Sequence, residues 1–169
     1  MIALVEKENI TMRWLQTTIA LIASIIATTA MAKDYKIGSI EIISPWSRAS
    51  PKGAATAIGY MTVKNNGTAP DRLIGGSIEI AAGFEMHSMA MDNGISRMRE
   101  LKDVDIQPGQ AIEFKPGGSH VMFVRLKHQL LKGEHINGTL VFQRAGEVKI
   151  EYDVLGIGEQ RGPQSADHM

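Results

Sequence analysis

The chain has 169 residues, a length typical of one domain, and its 44% of hydrophobic residues is that of a globular protein. Lys plus Arg and Asp plus Glu both number 18, so the net charge is zero and the basic excess of a nucleic-acid-binding protein is absent. Cysteine is absent, which excludes disulfides, thiolate metal sites and iron–sulfur clusters, whereas ten methionines are many for this length.

Residues 1–32 have the composition of a secretory signal peptide. An apolar run, 19–27, follows a basic residue and precedes a small-residue site that ends at Ala32, which is the order of regions in a leader. The run is short for a membrane span, which needs about 20 residues. We therefore predict cleavage after Ala32, export to an oxidising compartment and no lasting membrane insertion, with translation starting at Met1 or Met12.

Short strands are indicated throughout the rest of the chain, because Gly and Pro recur at intervals of about eight to twelve residues. The first predicted strand ends at Pro45. Gly75 and Gly76 are predicted to form a bulge in the third strand, and residues 105–109 are predicted to form a turn. The strands are predicted over 37–44, 55–65, 73–80, 84–91, 95–101, 111–114, 120–126, 139–144 and 147–154. Together they indicate an all-β fold, an antiparallel Greek-key β-sandwich.

The mature chain is predicted to be a single domain. No internal repeat and no linker divides residues 33–157. Residues 158–169 are polar and are predicted to form a mobile tail.

Histidine and methionine are concentrated in two clusters. The first, 85–91, reads EMHSMAM and is followed across a turn by Met98, and the second contains His120 and Met122. Residues two apart on a strand project to the same side, so His120 and Met122 lie side by side. A hairpin between the predicted strands 84–91 and 95–101 brings Met98 to His87. These four side chains can therefore converge on one metal ion.

The donor types indicate copper. Thioether sulfur is soft and neutral and suits Cu(I), and imidazole also accepts copper. Zinc makes little use of thioethers, and hard cations prefer oxygen. The alternative is that the methionines fill the core, as we expect for Met61, while Met89 and Met91 either pack or line the rim of the site. His128 and His135 are expected to be ordinary surface residues.

The spacing H-x10-M-x21-H-x-M, from His87 to Met122, resembles the signature of the periplasmic PCu(A)C copper chaperones. The segments 45–49 (PWSRA) and 116–120 (PGGSH) resemble further landmarks of that family, and the resemblance covers 37–155. It implies a periplasmic location and a cupredoxin-like Greek-key β-sandwich or barrel with its site exposed at one end. It also implies that one Cu(I) is bound by four ligands, His87, Met98, His120 and Met122.

The resemblance further implies that copper is delivered for assembly of the CuA centre of cytochrome c oxidase. The implied partner is the copper-receiving oxidase subunit or another periplasmic copper chaperone. Some relatives carry a His- and Met-rich tail that takes Cu(II), but here the tail offers only His168 and Met169. A second copper site is therefore not expected.

The sequence features can also be interpreted in terms of functions other than copper delivery. A periplasmic copper-sequestration or resistance protein would use the same four residues and differ only in its partner. An electron-transfer cupredoxin would need a cysteine ligand, which this chain lacks. An exported adhesion or ligand-binding sandwich would use its methionines only for packing. An enzyme is not indicated, because the sequence has no nucleophile–base pattern, phosphate loop or paired-carboxylate motif.

Overall fold

The computed structural model describes residues 33–92 and 94–162, so the predicted signal peptide, His168 and Met169 lie outside the described residues. The described part contains strands and no helix, and thus no helix long and apolar enough to cross a membrane. The strands are β1 (Tyr35–Ile37), β2 (Ile40–Arg48), β3 (Thr56–Asn65), β4 (Asp71–Ile78), β5 (Ala81–Asp92), β6 (Ile95–Leu101), β7 (Val104–Ile106), β8 (Ala111–Phe114), β9 (His120–Leu126), β10 (His135–Phe142) and β11 (Gly146–Leu155). The all-β fold predicted from the sequence is confirmed.

The strands follow the order β6-β5-β9-β3-β2-β11-β10-β4-β7, with β1 paired to β2 and β8 paired to β3 outside this path. Among the described strands every pairing is antiparallel except that of β2 with β11, which is parallel. This exception departs from the antiparallel expectation. It arises because β11 reaches β2 from a hairpin with β10 and not from a hairpin with β2 itself, so its direction is set by β10.

The core is built from the inward-facing residues of alternating strands. On β11, Ile150, Tyr152 and Val154 are buried in succession at every second position. The Tyr152 ring meets the Phe123 ring edge-on, with centroids 5.2 Å apart. Met61 is 2% exposed and its sulfur lies 3.9 Å from the Tyr152 hydroxyl, which confirms Met61 as a core residue.

β2 continues through Pro45, where the sequence predicts its end. Ser44 has a φ of 48°, and the register with β3 shifts between Ile43 and Trp46. Proline has no N–H to give to a neighbouring strand, so it is tolerated where a bulge leaves the backbone out of the ladder. Beyond the bulge Trp46 packs on Tyr60, with ring centroids 4.5 Å apart.

The remaining strands include one irregular strand, β4, and two very short ones, β1 and β7. The irregularity predicted in β4 is present, because Gly75 pairs with Val141 and Leu73 with Phe142, and the register shifts between them. The sequence predicts one strand over 37–44, but a turn at Gly38 and Ser39 divides this stretch between β1 and β2, and β7 occupies the start of the turn predicted over 105–109. A strand of three residues is too short to show an alternation of polar and apolar side chains.

Gly59 fixes how closely β3 approaches β9 beside His120. A Cβ at this position would lie 2.5 Å from the Phe123 ring and 2.7 Å from a Val121 methyl group. We therefore expect Gly59→Ala to lower the free energy of unfolding by about 1–3 kcal/mol through overpacking, as measured by denaturant titration. Gly158→Ala is the control, because its Cβ would meet nothing within 4 Å. Equal stability of the two variants would contradict this expectation.

Candidate metal centre

The two histidines of the sequence pattern meet on neighbouring strands. His87 of β5 lies directly opposite His120 of β9 in the antiparallel pairing. Their rings stack with centroids 5.7 Å apart and planes 24° apart. Both residues are buried, with 8% and 6% of their surface exposed. Two distant parts of the sequence thus supply adjacent imidazoles.

The two methionines lie on the same face as the histidine pair. Met122 is two residues after His120 on β9. Met98 of β6 lies opposite Met89, which is two residues after His87 on β5. Cross-strand partners and residues two apart share a face, so the register aligns all four predicted ligands. The imidazoles are the buried part of this group, whereas Met98 is 50% exposed.

Each imidazole uses one ring nitrogen in a hydrogen bond. Nε2 of His87 lies 3.0 Å from Oε2 of Glu85, and Nδ1 of His120 lies 3.0 Å from the Gly118 carbonyl oxygen. Both partners are acceptors, so in the neutral ring these nitrogens carry the proton. The other two nitrogens, Nδ1 of His87 and Nε2 of His120, are buried and have no hydrogen-bond partner in the described chain.

The two unpartnered nitrogens are the chemically distinctive feature of this face. A buried polar atom without a partner costs about 1–3 kcal/mol and is uncommon in native proteins. A lone pair on a neutral imidazole nitrogen is satisfied by a metal ion as well as by a hydrogen-bond donor. With the thioethers of Met98 and Met122, the ligands that the sequence predicts, these nitrogens would make an uncharged donor set that suits a soft cation better than it suits calcium or magnesium.

The sequence pattern does not predict the contact between Glu85 and His87. The two residues are separated by one position on β5, and that spacing on a strand is the signal that places their side chains side by side. Met89, opposite Met98, is half-buried, and Met91 is 74% exposed. The face therefore carries the Glu85 carboxylate, the Glu100 carboxylate opposite His87 on β6, and further thioether sulfur beside the predicted ligands.

The histidines expected at the surface are found there. His128 is exposed, and His135 is exposed beside Asp153 and Glu151. The ligand atoms of this second group lie within 4.8 Å of one another. Glu151 also bonds to Lys33, so a cation of the chain itself already contacts this cluster. The arrangement is that of a surface ion-pair network.

Comparison with known proteins gives a family for the chain. A family model described as "LpqE-like: Putative lipoprotein LpqE-like" matches residues 40–154. The chain is 29% identical over 118 residues to "Putative lipoprotein Lxx21020" of Leifsonia xyli subsp. xyli (strain CTCB07), an alignment that covers 69% of this chain and 70% of that protein.

Two solved structures are similar in both sequence and fold. The "Copper-bound PCuAC domain from PmoF2" is 32% identical with a TM-score of 0.64, and the alignment covers 73% of this chain and 98% of that domain. The "apo PmoF2 PCuAC domain" is 31% identical with a TM-score of 0.67, and the alignment covers 77% of this chain and all of that domain, 100%. These matches confirm the resemblance stated from the His and Met spacing. The chain therefore belongs to the LpqE-like family and has the fold of the PCuAC domains.

Proposed function

We propose that the protein is a periplasmic copper chaperone that binds one Cu(I) through His87, Met98, His120 and Met122. The observation that carries this proposal is the pair of buried ring nitrogens, one on each histidine, that have no hydrogen-bond partner in residues 33–92 and 94–162. The copper-bound PCuAC domain of PmoF2, 32% identical, supports copper as the ion. The neutral sulfur and nitrogen donors favour Cu(I).

Copper is the cargo of such a protein and moves by exchange of ligands. The imidazoles are buried, whereas the Met98 thioether is half exposed, so an incoming acceptor meets the sulfur side of the site first. All four ligands are neutral, and each can be displaced in turn by a ligand of the acceptor. Transfer breaks no covalent bond in a substrate, so the protein acts as a carrier and not as an enzyme.

The proposed acceptor is the copper-receiving subunit that carries CuA in cytochrome c oxidase, or another periplasmic copper chaperone. Membership of the PCuAC fold supports a role in copper handling, and the leader-like segment 1–32 supports export. A copper-sequestration protein would use the same site and would retain its copper when an acceptor is present.

A transfer assay distinguishes delivery from sequestration. The protein is loaded anaerobically with one equivalent of Cu(I), mixed with the metal-free soluble domain of the oxidase subunit, and separated for metal analysis. We expect most of the copper to be recovered with the acceptor. An acceptor variant without its copper ligands is the control and should receive none. Copper that stays with the donor would overturn delivery and favour sequestration.

A further inference from the structure

Glu85 contacts one of the two candidate copper-binding histidines. Its Oε2 atom lies 3.0 Å from Nε2 of His87, and the side chains are 35% and 10% exposed respectively. An ionised carboxylate accepts hydrogen bonds and donates none, so it selects the His87 tautomer that carries its proton on Nε2. In that tautomer the lone pair is on Nδ1, which is the buried nitrogen without a partner.

The other histidine has the opposite arrangement. Nδ1 of His120 donates to the Gly118 carbonyl oxygen, which leaves the lone pair on Nε2. The two rings therefore offer different nitrogens, Nδ1 from His87 and Nε2 from His120. Their partners also differ, because Gly118 supplies a neutral carbonyl and Glu85 supplies a charged carboxylate. Hydrogen bonds to a charged acceptor are about twice as strong as neutral ones.

The charge of Glu85 matters because the candidate ligands are neutral. A monovalent cation held by two imidazoles and two thioethers keeps its full positive charge next to buried groups, which is unfavourable without a counter-charge. Glu85 is the carboxylate that hydrogen-bonds to one of these imidazoles. A carboxylate bonded to a metal-binding histidine orients the ring and raises its basicity as a ligand.

We propose that Glu85 is a positioning residue that holds the His87 ring so that Nδ1, and not Nε2, faces the copper ion. This inference rests on the proposed function, because it assigns a role at the same copper site. Glu100 offers a matched comparison. It lies opposite His87 across β5 and β6 and carries the same charge, but the structure gives it no hydrogen bond to either imidazole.

The test uses the whole protein and three variants, Glu85→Ala, Glu85→Gln and Glu100→Gln. The tautomer of His87 is measured in the apo protein at one fixed pH by 15N-resolved NMR of the ring nitrogens. Cu(I) affinity is measured anaerobically by competition with a chelator, and the backbone spectrum of each variant reports whether it folds.

In the wild-type protein we expect His87 to carry its proton on Nε2. Glu85→Ala should abolish this preference and weaken Cu(I) binding by about 10–100-fold, the range typical of groups that orient metal ligands. Glu85→Gln keeps an acceptor oxygen without the charge and should retain part of the preference and of the affinity. Glu100→Gln should change neither.

Three results would overturn the role of Glu85. One is a wild-type His87 with its proton on Nδ1, and another is a folded Glu85→Ala variant with unchanged tautomer and affinity. The third is a Glu100→Gln variant that loses as much affinity as Glu85→Ala, because the effect would then be one of charge alone. A wild-type protein that binds no Cu(I) would instead overturn the proposed function, while the apo tautomer measurement would still decide whether Glu85 positions the ring.

Discussion

Replacing His120 by alanine is expected to weaken Cu(I) binding by more than about 100-fold. Loss of a group that only orients a metal ligand costs about 10–100-fold in affinity, so loss of a ligand itself should cost more. The substitution also removes one of the two buried nitrogens that have no partner in the described chain. Anaerobic titration against a Cu(I) chelator measures the change.

A second histidine provides the control for this experiment. His128 is exposed and lies outside the candidate site, so His128→Ala should bind Cu(I) as the wild-type protein does. Met122→Ala should weaken binding in the same direction as His120→Ala. If His120→Ala and His128→Ala have the same affinity as the wild-type protein, the proposed ligand set is wrong.

The largest loss of stability is expected from Tyr152→Ala, at about 3–5 kcal/mol in the free energy of unfolding. Tyr152 is fully buried, and its ring packs edge-on against Phe123. A Cβ added to Gly138 would lie 3.1 Å from the same ring, so the surrounding chain is closely fitted to it. Alanine would leave a cavity in the hydrophobic core. Urea denaturation followed by circular dichroism measures the difference.

Tyr152→Phe separates the contribution of the ring from that of the hydroxyl group. Burial raises the pKa of Tyr152, so the phenol stays neutral, and its hydroxyl lies 3.9 Å from the weakly accepting Met61 sulfur. Removing the hydroxyl should therefore change stability by about 1 kcal/mol or less. A Tyr152→Phe variant as unstable as Tyr152→Ala would show that the hydroxyl, and not the packing of the ring, stabilises the core.

The hairpin that carries Met98 could be predicted from local sequence alone. The turn segment 92–94 ends in glycine, and Gly94 has a φ of 80°, a conformation that glycine adopts without strain. A short turn fixes the register of the strands on either side. The sequence therefore predicts Met98 on a strand paired with that of His87, and the structure confirms this pairing.

Long-range features of the fold could not be predicted in the same way. The continuation of β2 through Pro45 depends on a bulge against β3, and the parallel pairing of β2 with β11 depends on how the whole chain is routed. Neither leaves a periodic pattern in the local sequence. The alternation of polar and apolar residues along a strand shows which face of the sheet each side chain occupies. It does not show which other strand pairs with that strand.

The candidate site was likewise predicted in part. The residue types and the spacing of His120 and Met122 indicated donors on one face of a strand. The sequence could not give the burial of the imidazoles or the ring nitrogen that each one leaves free, because these depend on Glu85 and the Gly118 carbonyl in the folded chain. The hydrogen-bond partners therefore determine which ring nitrogen of each histidine is available to a metal ion, whereas the sequence identifies only the histidine.

The parallel pairing of β2 with β11 joins opposite ends of the domain, since Trp46 lies beside Asp153. The pairing of β2 with β11 can form only after β11 is available. Until then each of these strands has an unpaired edge that can pair with other chains. Folds dominated by such distant pairings form slowly. During synthesis from the amino terminus, the edge of β2 that pairs with β11 would thus stay uncovered until nearly all of residues 40–155 are available, and this exposure would favour proteolysis.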